Sequence, residues 1–224
     1  MAAGDLNPWW RFGLPVVGLL VRVLFRVRVT GLEHVPARGA TLLAFNHVSA
    51  LDGPVLAIEF GRRVRRPVRF LVAAEFFEKR FHGWVLRTFD QIPIRRGQSD
   101  GAALDAALEA LRTGSVVAIA PEGSVHPQPG ELQRIRGGIA RLALPTGTPI
   151  VPVGIWGTQA RWPRSGLHWG PPWRPPLALA FGPPMLPEGD EGDELDLEAL
   201  KERLGDRLAE QVAIARSMVG DARA

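Results

Sequence analysis

A chain of 224 residues with 46% hydrophobic content can bury one substantial core, so a single α/β-sized domain with a terminal appendage is expected. It has no cysteine, which excludes disulfide staples, cysteine-ligated zinc, iron–sulfur clusters and a thiolate nucleophile together. The formal charge is +4, and the basic residues are nearly all arginine, with lysine only at Lys79 and Lys201. Guanidinium forks pair bidentately with phosphate, so one reading is an anionic partner: a phosphorylated substrate, a nucleotide-bearing cofactor, anionic lipid or nucleic acid. The other is an ordinary arginine-rich solvated surface.

The chain opens on WWRFGLPVVGLLVRVLFRV, from Trp9 to Val27. Its apolar stretch from Phe12 to Leu20 is shorter than the roughly 17–25 residues that span a bilayer, and Arg22, Arg26 and Arg28 interrupt its continuation. It also lacks the basic region before it and the small-residue cleavage site after it that mark a signal peptide. The composition suits an interfacial anchor over residues 1–26: tryptophans for the headgroup level, valines and leucines for the acyl boundary, arginines for anionic lipid. A helix begun near Pro15 places Val17, Leu20, Val21, Leu24 and Phe25 on one side and makes Arg22 and Arg26 neighbours on another. The alternative is a helix docked on the protein's own core.

From Val27 onward short apolar runs alternate with helical patterns. Val27 to Leu32, Thr41 to Phe45, Val68 to Val72, Ser115 to Ile119, Pro149 to Val153 and Leu177 to Phe181 read as strands. Pro54 to Phe60, Ser99 to Leu111 and Gly138 to Leu144 read as helices, the second capped by Ser99 or Asp100 and stopped by Gly114. This alternation predicts an α/β domain over residues 27–186 with a mostly parallel central sheet flanked by helices, and a site in the loops after strand ends. Gly157 to Pro176, rich in Trp and Pro, is an irregular surface loop: a lid, a membrane-contact element or a stiff connection. Residues 187–224 run from an acidic stretch into a helix, with Leu197, Leu200, Leu204 and Leu208 at helical spacing for packing on the body.

Three segments carry candidate chemistry. The first is Asn46-His47-Val48-Ser49-Ala50-Leu51-Asp52, a strand ending in N-H-x-x-x-x-D. Histidine accepts protons near neutral pH, and an aspartate on its far ring nitrogen fixes the tautomer and stabilises the imidazolium. Residues five apart on one regular helix sit roughly 140° round from each other, so His47 and Asp52 pair only if the chain turns between them. The second is Ile92-Pro93-Ile94-Arg95-Arg96-Gly97, two arginines at a strand end before a helix, a geometry suited to phosphate. The third is Pro121-Glu122-Gly123-Ser124 after a strand. There Gly123 permits close backbone approach, Ser124 and amides donate hydrogen bonds, and Glu122 can orient a substrate hydroxyl. The arginine run Arg62, Arg63, Arg65, Arg66 and Arg69 faces an anionic partner or is a solvated connection.

In order and spacing, these segments and the later Thr148-Pro149-Ile150-Val151-Pro152-Val153 resemble the 1-acylglycerol-3-phosphate acyltransferases and the wider glycerolipid acyltransferase family, from about Val27 to Phe181. The resemblance implies a catalytic pair at His47 and Asp52, acceptor-phosphate binding at Arg96, and substrate contacts at Glu122, Gly123 and Ser124. It also implies a basic residue at Arg136 or, failing that, Arg134, and pocket-shaping apolar residues from Ile150 to Val153. The family often carries arginine after its third motif, where this chain has Val125. Either Arg134 or Arg136 replaces that ligand, or the acceptor is a different lysolipid or a glycolipid.

The implied reaction is direct acyl transfer from acyl-CoA or acyl-carrier protein to a lysophospholipid hydroxyl, with no metal or other cofactor. The implied location is a peripheral site on an anionic membrane at the cytoplasmic face. A thioester hydrolase and a catalytically silent lipid-surface adaptor are the rivals. Nucleic acid is not expected as a partner, because the arginine run has only Phe60 and Phe70 flanking it instead of interleaved aromatics.

Overall fold

The computed structural model describes residues 8–95, 100–127 and 132–220. Seven strands, β1 (Arg26–Thr30), β2 (Thr41–Phe45), β3 (Val68–Ala73), β4 (Ile92–Ile94), β5 (Val116–Ile119), β6 (Ile150–Trp156) and β7 (Pro176–Phe181), form one sheet in the order β1-β7-β6-β2-β5-β3-β4. The five strands from β6 to β4 in that order are mutually parallel. β7 is antiparallel to β6, and β1 runs alongside β7, so the sheet is mostly parallel with a reversed pair at one edge. Every residue of β2 and β7 is buried, as strands covered on both faces require. The edge strand β1, RVRVT, is half-buried at its valines and exposed at its arginines.

Helices α1 (Pro8–Leu24) and α2 (Asp52–Val64) cover one face; α4 (Gly101–Arg112), α5 (Gly138–Thr146) and α6 (Glu194–Gly220) cover the other. Along β2, successive side chains alternate between these two layers. Leu43 and Phe45 join the cluster of Leu14, Val21, Leu56 and Phe60, while Leu42 and Ala44 join that of Ala107, Leu111, Ile139 and Leu204. Leu200, Leu204 and Leu208 of α6 are fully buried against the body. The segment Ile150 to Val153, expected to shape a pocket, instead lies inside β6 with its apolar side chains in the two core clusters.

The N-terminal helix differs from its sequence reading. Its described part runs from Pro8 and continues through Pro15, which leaves the Arg11 carbonyl without an i+4 donor. Its buried stripe is Trp10, Leu14, Gly18 and Val21, whereas Val17 and Leu20, assigned to the apolar side from sequence, are exposed. Arg26 belongs to β1. Because the helix is apolar around most of its circumference, periodicity alone does not select the docking face. Backbone clearance does. A Cβ on Gly61 would stand 2.9 Å from Leu14 Cδ2, and one on Gly18 would stand 2.5 Å from Arg62 Cδ.

The sequence reading contains no counterpart of helix α3 (Arg80–Thr88), which buries only Gly83 and leaves Phe81 and Trp84 exposed. The Trp- and Pro-rich connection between β6 and β7 folds around Arg161. Its buried guanidinium donates to the carbonyls of Gly170 (3.2 Å) and Pro172 (2.6 Å).

Candidate active site

The central strands β6, β2 and β5 release their following loops at one edge of the sheet, and the three loops meet around His47. Between the end of β2 and the start of α2 the chain turns through residues 46–51, bringing Asp52 back to the histidine, with Nδ1 to Oδ2 at 3.0 Å. The same Oδ2 accepts the amides of Val48 (2.8 Å) and Ser49 (2.7 Å), while Oδ1 accepts the hydroxyl of Thr158 (2.5 Å). Asp52 is fully buried, and a buried carboxylate requires such donors. The His47 side chain keeps 24% of its exposure. A neutral ring donating from Nδ1 to Asp52 carries its basic lone pair on Nε2.

The turn is fastened from two further directions. The Asn46 amide pairs with both backbone groups of Ile155 in β6, accepting from its N–H at 2.7 Å and donating to its carbonyl at 3.0 Å. The Trp162 carbonyl accepts from the Ser49 hydroxyl at 2.7 Å and from the Ala50 amide at 3.2 Å. Neither Thr158 nor Trp162 carries a local sequence signal; each reaches the turn from more than a hundred residues away.

The segment after β5 brackets the histidine backbone. Glu122 Oε1 accepts the His47 amide at 2.8 Å, and the His126 amide donates to the His47 carbonyl at 2.7 Å. The second Glu122 oxygen accepts the Gln133 amide at 2.9 Å, so the carboxylate expected to orient a substrate hydroxyl instead braces two stretches of backbone. Burial raises the Glu122 pKa above the ordinary carboxylate value, opposed by the amides of Gln133 and His47 and by the nearby imidazoles of His126 and His47. Gly123 has φ +77°, and a Cβ there would lie 2.7 Å from Arg136 Nε, so glycine is required on two counts.

Arg136 donates through Nε to the Glu122 carbonyl at 3.0 Å, and its own amide donates to Pro121 at 2.9 Å. Of the two basic residues considered from sequence, Arg136 thus sits at the third motif, whereas Arg134 extends into solvent 4.0 Å from Glu198. Ser124 lies 3.5 Å from the Gln133 side-chain oxygen and accepts its amide at the backbone carbonyl. Arg96 lies outside the described residues. Asp100 accepts the Arg95 amide at 2.8 Å and the Ala103 amide at 3.2 Å, capping α4. Among the described residues, no group of three or more His, Asp or Glu side chains could hold a metal ion.

Residues 26–156 match the acyltransferase family, more than half of the chain and every motif described above. The chain belongs to that family. Among acyltransferase relatives, a 1-acyl-sn-glycerol-3-phosphate acyltransferase of Borreliella burgdorferi is 28% identical over 136 residues, covering 60% of this chain and 52% of the relative. An uncharacterized protein of Mycobacterium tuberculosis is 31% identical over 159 residues, 66% of this chain and 42% of the relative. The matched region thus spans about half the length of these relatives. The crystal structure of the 1-acyl-sn-glycerophosphate acyltransferase of Thermotoga maritima shares the fold, with a TM-score of 0.68 at 23% identity over 91% of this chain and 81% of the other.

Proposed function

We propose that the protein transfers a fatty acyl group from an acyl thioester, acyl-CoA or acyl-carrier protein, to the free hydroxyl of a lysophospholipid, with 1-acyl-sn-glycerol 3-phosphate as acceptor and phosphatidic acid as product. The observation carrying this reading is the partly exposed His47 held at Nδ1 by a fully buried, four-donor Asp52. His47 Nε2 takes the proton of the acceptor hydroxyl, and the oxygen attacks the thioester carbonyl. The tetrahedral intermediate collapses with loss of the thiolate, which recovers the proton from the imidazolium. Asp52 stabilises that imidazolium and holds the ring in its reactive tautomer. Alignment of two bound reactants supplies much of the acceleration. Arg96 and Arg136 hold the acceptor phosphate, with Gly123 and Ser124 beside it.

The reaction takes place at a membrane surface, on the cytoplasmic face, with residues 1–26 as the contacting segment. Phe12, Val16, Leu19, Leu20 and Val23 of α1 are each more than half exposed, and Trp9 stacks edge-to-face on the exposed Trp84 of α3 at 5.4 Å. A contiguous apolar surface of this kind marks a lipid or protein contact. Among the described residues no helix is long and apolar enough to cross a membrane. A helix lying in the interface accounts for both observations.

The test is thiol release from oleoyl-CoA by the purified protein with a panel of lysolipids, for wild type and His47→Ala. Release that requires lysophosphatidic acid and disappears in the variant is the expected result. Dependence on a different lysolipid keeps the reaction and replaces the acceptor, the outcome that Val125 would then explain. Release without any acceptor makes the protein a hydrolase and overturns the proposal.

A further inference from the structure

The arginine run that follows Phe60 divides into distinct environments. Arg62 and Arg63 pair with the buried Glu59, and Arg69 donates to the Asp90 carbonyl at 2.9 Å. Arg66 is buried and ties together the carbonyls of Pro36, Gly39 and Gly114; desolvation lowers its pKa. Arg65 remains, in the left-handed position that ends α2 at φ 58°. It faces a cleft of about 600 Å³ between α1 and α2 that is also lined by Arg11, Arg22 and Arg62. Among the described residues no acidic side chain lines this cleft, and Arg11, Arg22 and Arg65 have no carboxylate partner. A place in the last turn of α2 accounts for Arg62, whose charge complements the helix dipole. It does not account for two arginines of α1 on the same cleft. Gly18 supports the arrangement by leaving room for the Arg62 stem to cross α1.

We propose that this cleft is a second lipid site, holding the phosphate of an anionic membrane phospholipid apart from the acyl-transfer centre; the proposal rests on α1 facing the membrane. Three arginines without a carboxylate partner among the described residues, Arg11, Arg22 and Arg65, on one cleft suit a phosphate, which accepts bidentate bonds from arginine. The other lining residues, Leu14, Pro15 and Leu19, are apolar, and the cleft opens beside the exposed apolar residues of α1. That combination fits an amphiphile with an anionic head and acyl chains, in preference to a free anion or a nucleotide. It is not the acceptor position. Gly61 and Arg65 lie about 14 and 20 Å along α2 from Asp52, at 1.5 Å per residue. In a lysophospholipid the free hydroxyl is only a few bonds from the phosphate, so a phosphate held here cannot present that hydroxyl to His47.

The full chain in neutral detergent is titrated calorimetrically with monomeric dihexanoyl phosphatidylglycerol. Wild type is expected to bind saturably, one lipid per chain, and Arg22→Gln/Arg65→Gln to weaken binding about tenfold or more. Arg112→Gln/Arg207→Gln, with equal charge loss from exposed positions on α4 and α6 across the sheet, is expected to change it less than about twofold. Gly18→Leu, which displaces Arg62 without removing charge, should weaken binding as well. Absence of saturation, or equal weakening in both double variants, overturns the site in favour of diffuse attraction. Displacement by inorganic phosphate or by coenzyme A at matched concentration overturns the lipid assignment. His47→Ala should still bind, so lipid binding without acyl transfer in wild type refutes the proposed reaction alone. Wild-type failure to sediment with phosphatidylcholine–phosphatidylglycerol vesicles refutes the membrane reading and this site together.

Discussion

The turn at residues 46–52 and the helix at Pro8–Leu24 are built on opposite principles. In the turn almost every polar group has a named partner: Asn46 reaches β6, Ser49 the loop beyond it, and Asp52 collects four donors. Such directional bonds hold two side chains at one distance, which proton transfer needs. The helix buries one apolar stripe on α2 and leaves a second in water, with contacts that specify area but not direction. A single missing bond should therefore damage the turn, whereas the helix should respond to the amount of apolar surface removed.

The severest break is His47→Ala, expected to lower kcat by about 10²–10⁴-fold, with only a modest fall in melting temperature as the buried Asp52 loses one of its four donors. On the helix, Phe12→Ser/Leu19→Ser should reduce partition onto vesicles about a hundredfold, each side chain contributing about 1.5–3 kcal/mol if fully withdrawn from water. Activity on substrates dissolved in neutral detergent should survive that pair of changes; its loss would show that the helix shapes the site itself. Thr158→Val leaves Asp52 Oδ1 without its hydroxyl donor, at a cost of about 1–3 kcal/mol in a buried site. A fall of about tenfold in kcat with KM unchanged, restored by Thr158→Ser, is the outcome expected if Thr158 acts by orienting the aspartate. A proportionate change in KM would point to general loosening.

The smallest effect lies at Asp100. Its carboxyl is held below the usual range by the amides of Arg95 and Ala103, which bond the ionised form. The stabilisation is complete above the ordinary aspartate pKa and disappears as pH falls through the depressed folded value. Wild type should melt above Asp100→Ala at neutral pH, and the two curves should converge in acid.

Local pattern determined much of this molecule. β2 coincides with the apolar run read from sequence, and the other core strands differ by a few residues at their ends, because strands covered on both faces must be apolar throughout. The motif residues His47 and Asp52 were legible because both lie in one short stretch after such a strand. Tertiary structure decided what depends on distant partners. Thr158 meets Asp52 from 106 residues away, and Glu122 serves His47 through a backbone amide 75 residues away, contacts that no local periodicity encodes. Packing likewise chose the docked face of α1, where two glycines, Gly18 and Gly61, set how closely the helices approach. A helix apolar on nearly all sides specifies that it must be covered, and leaves to its neighbours the choice of which side they cover.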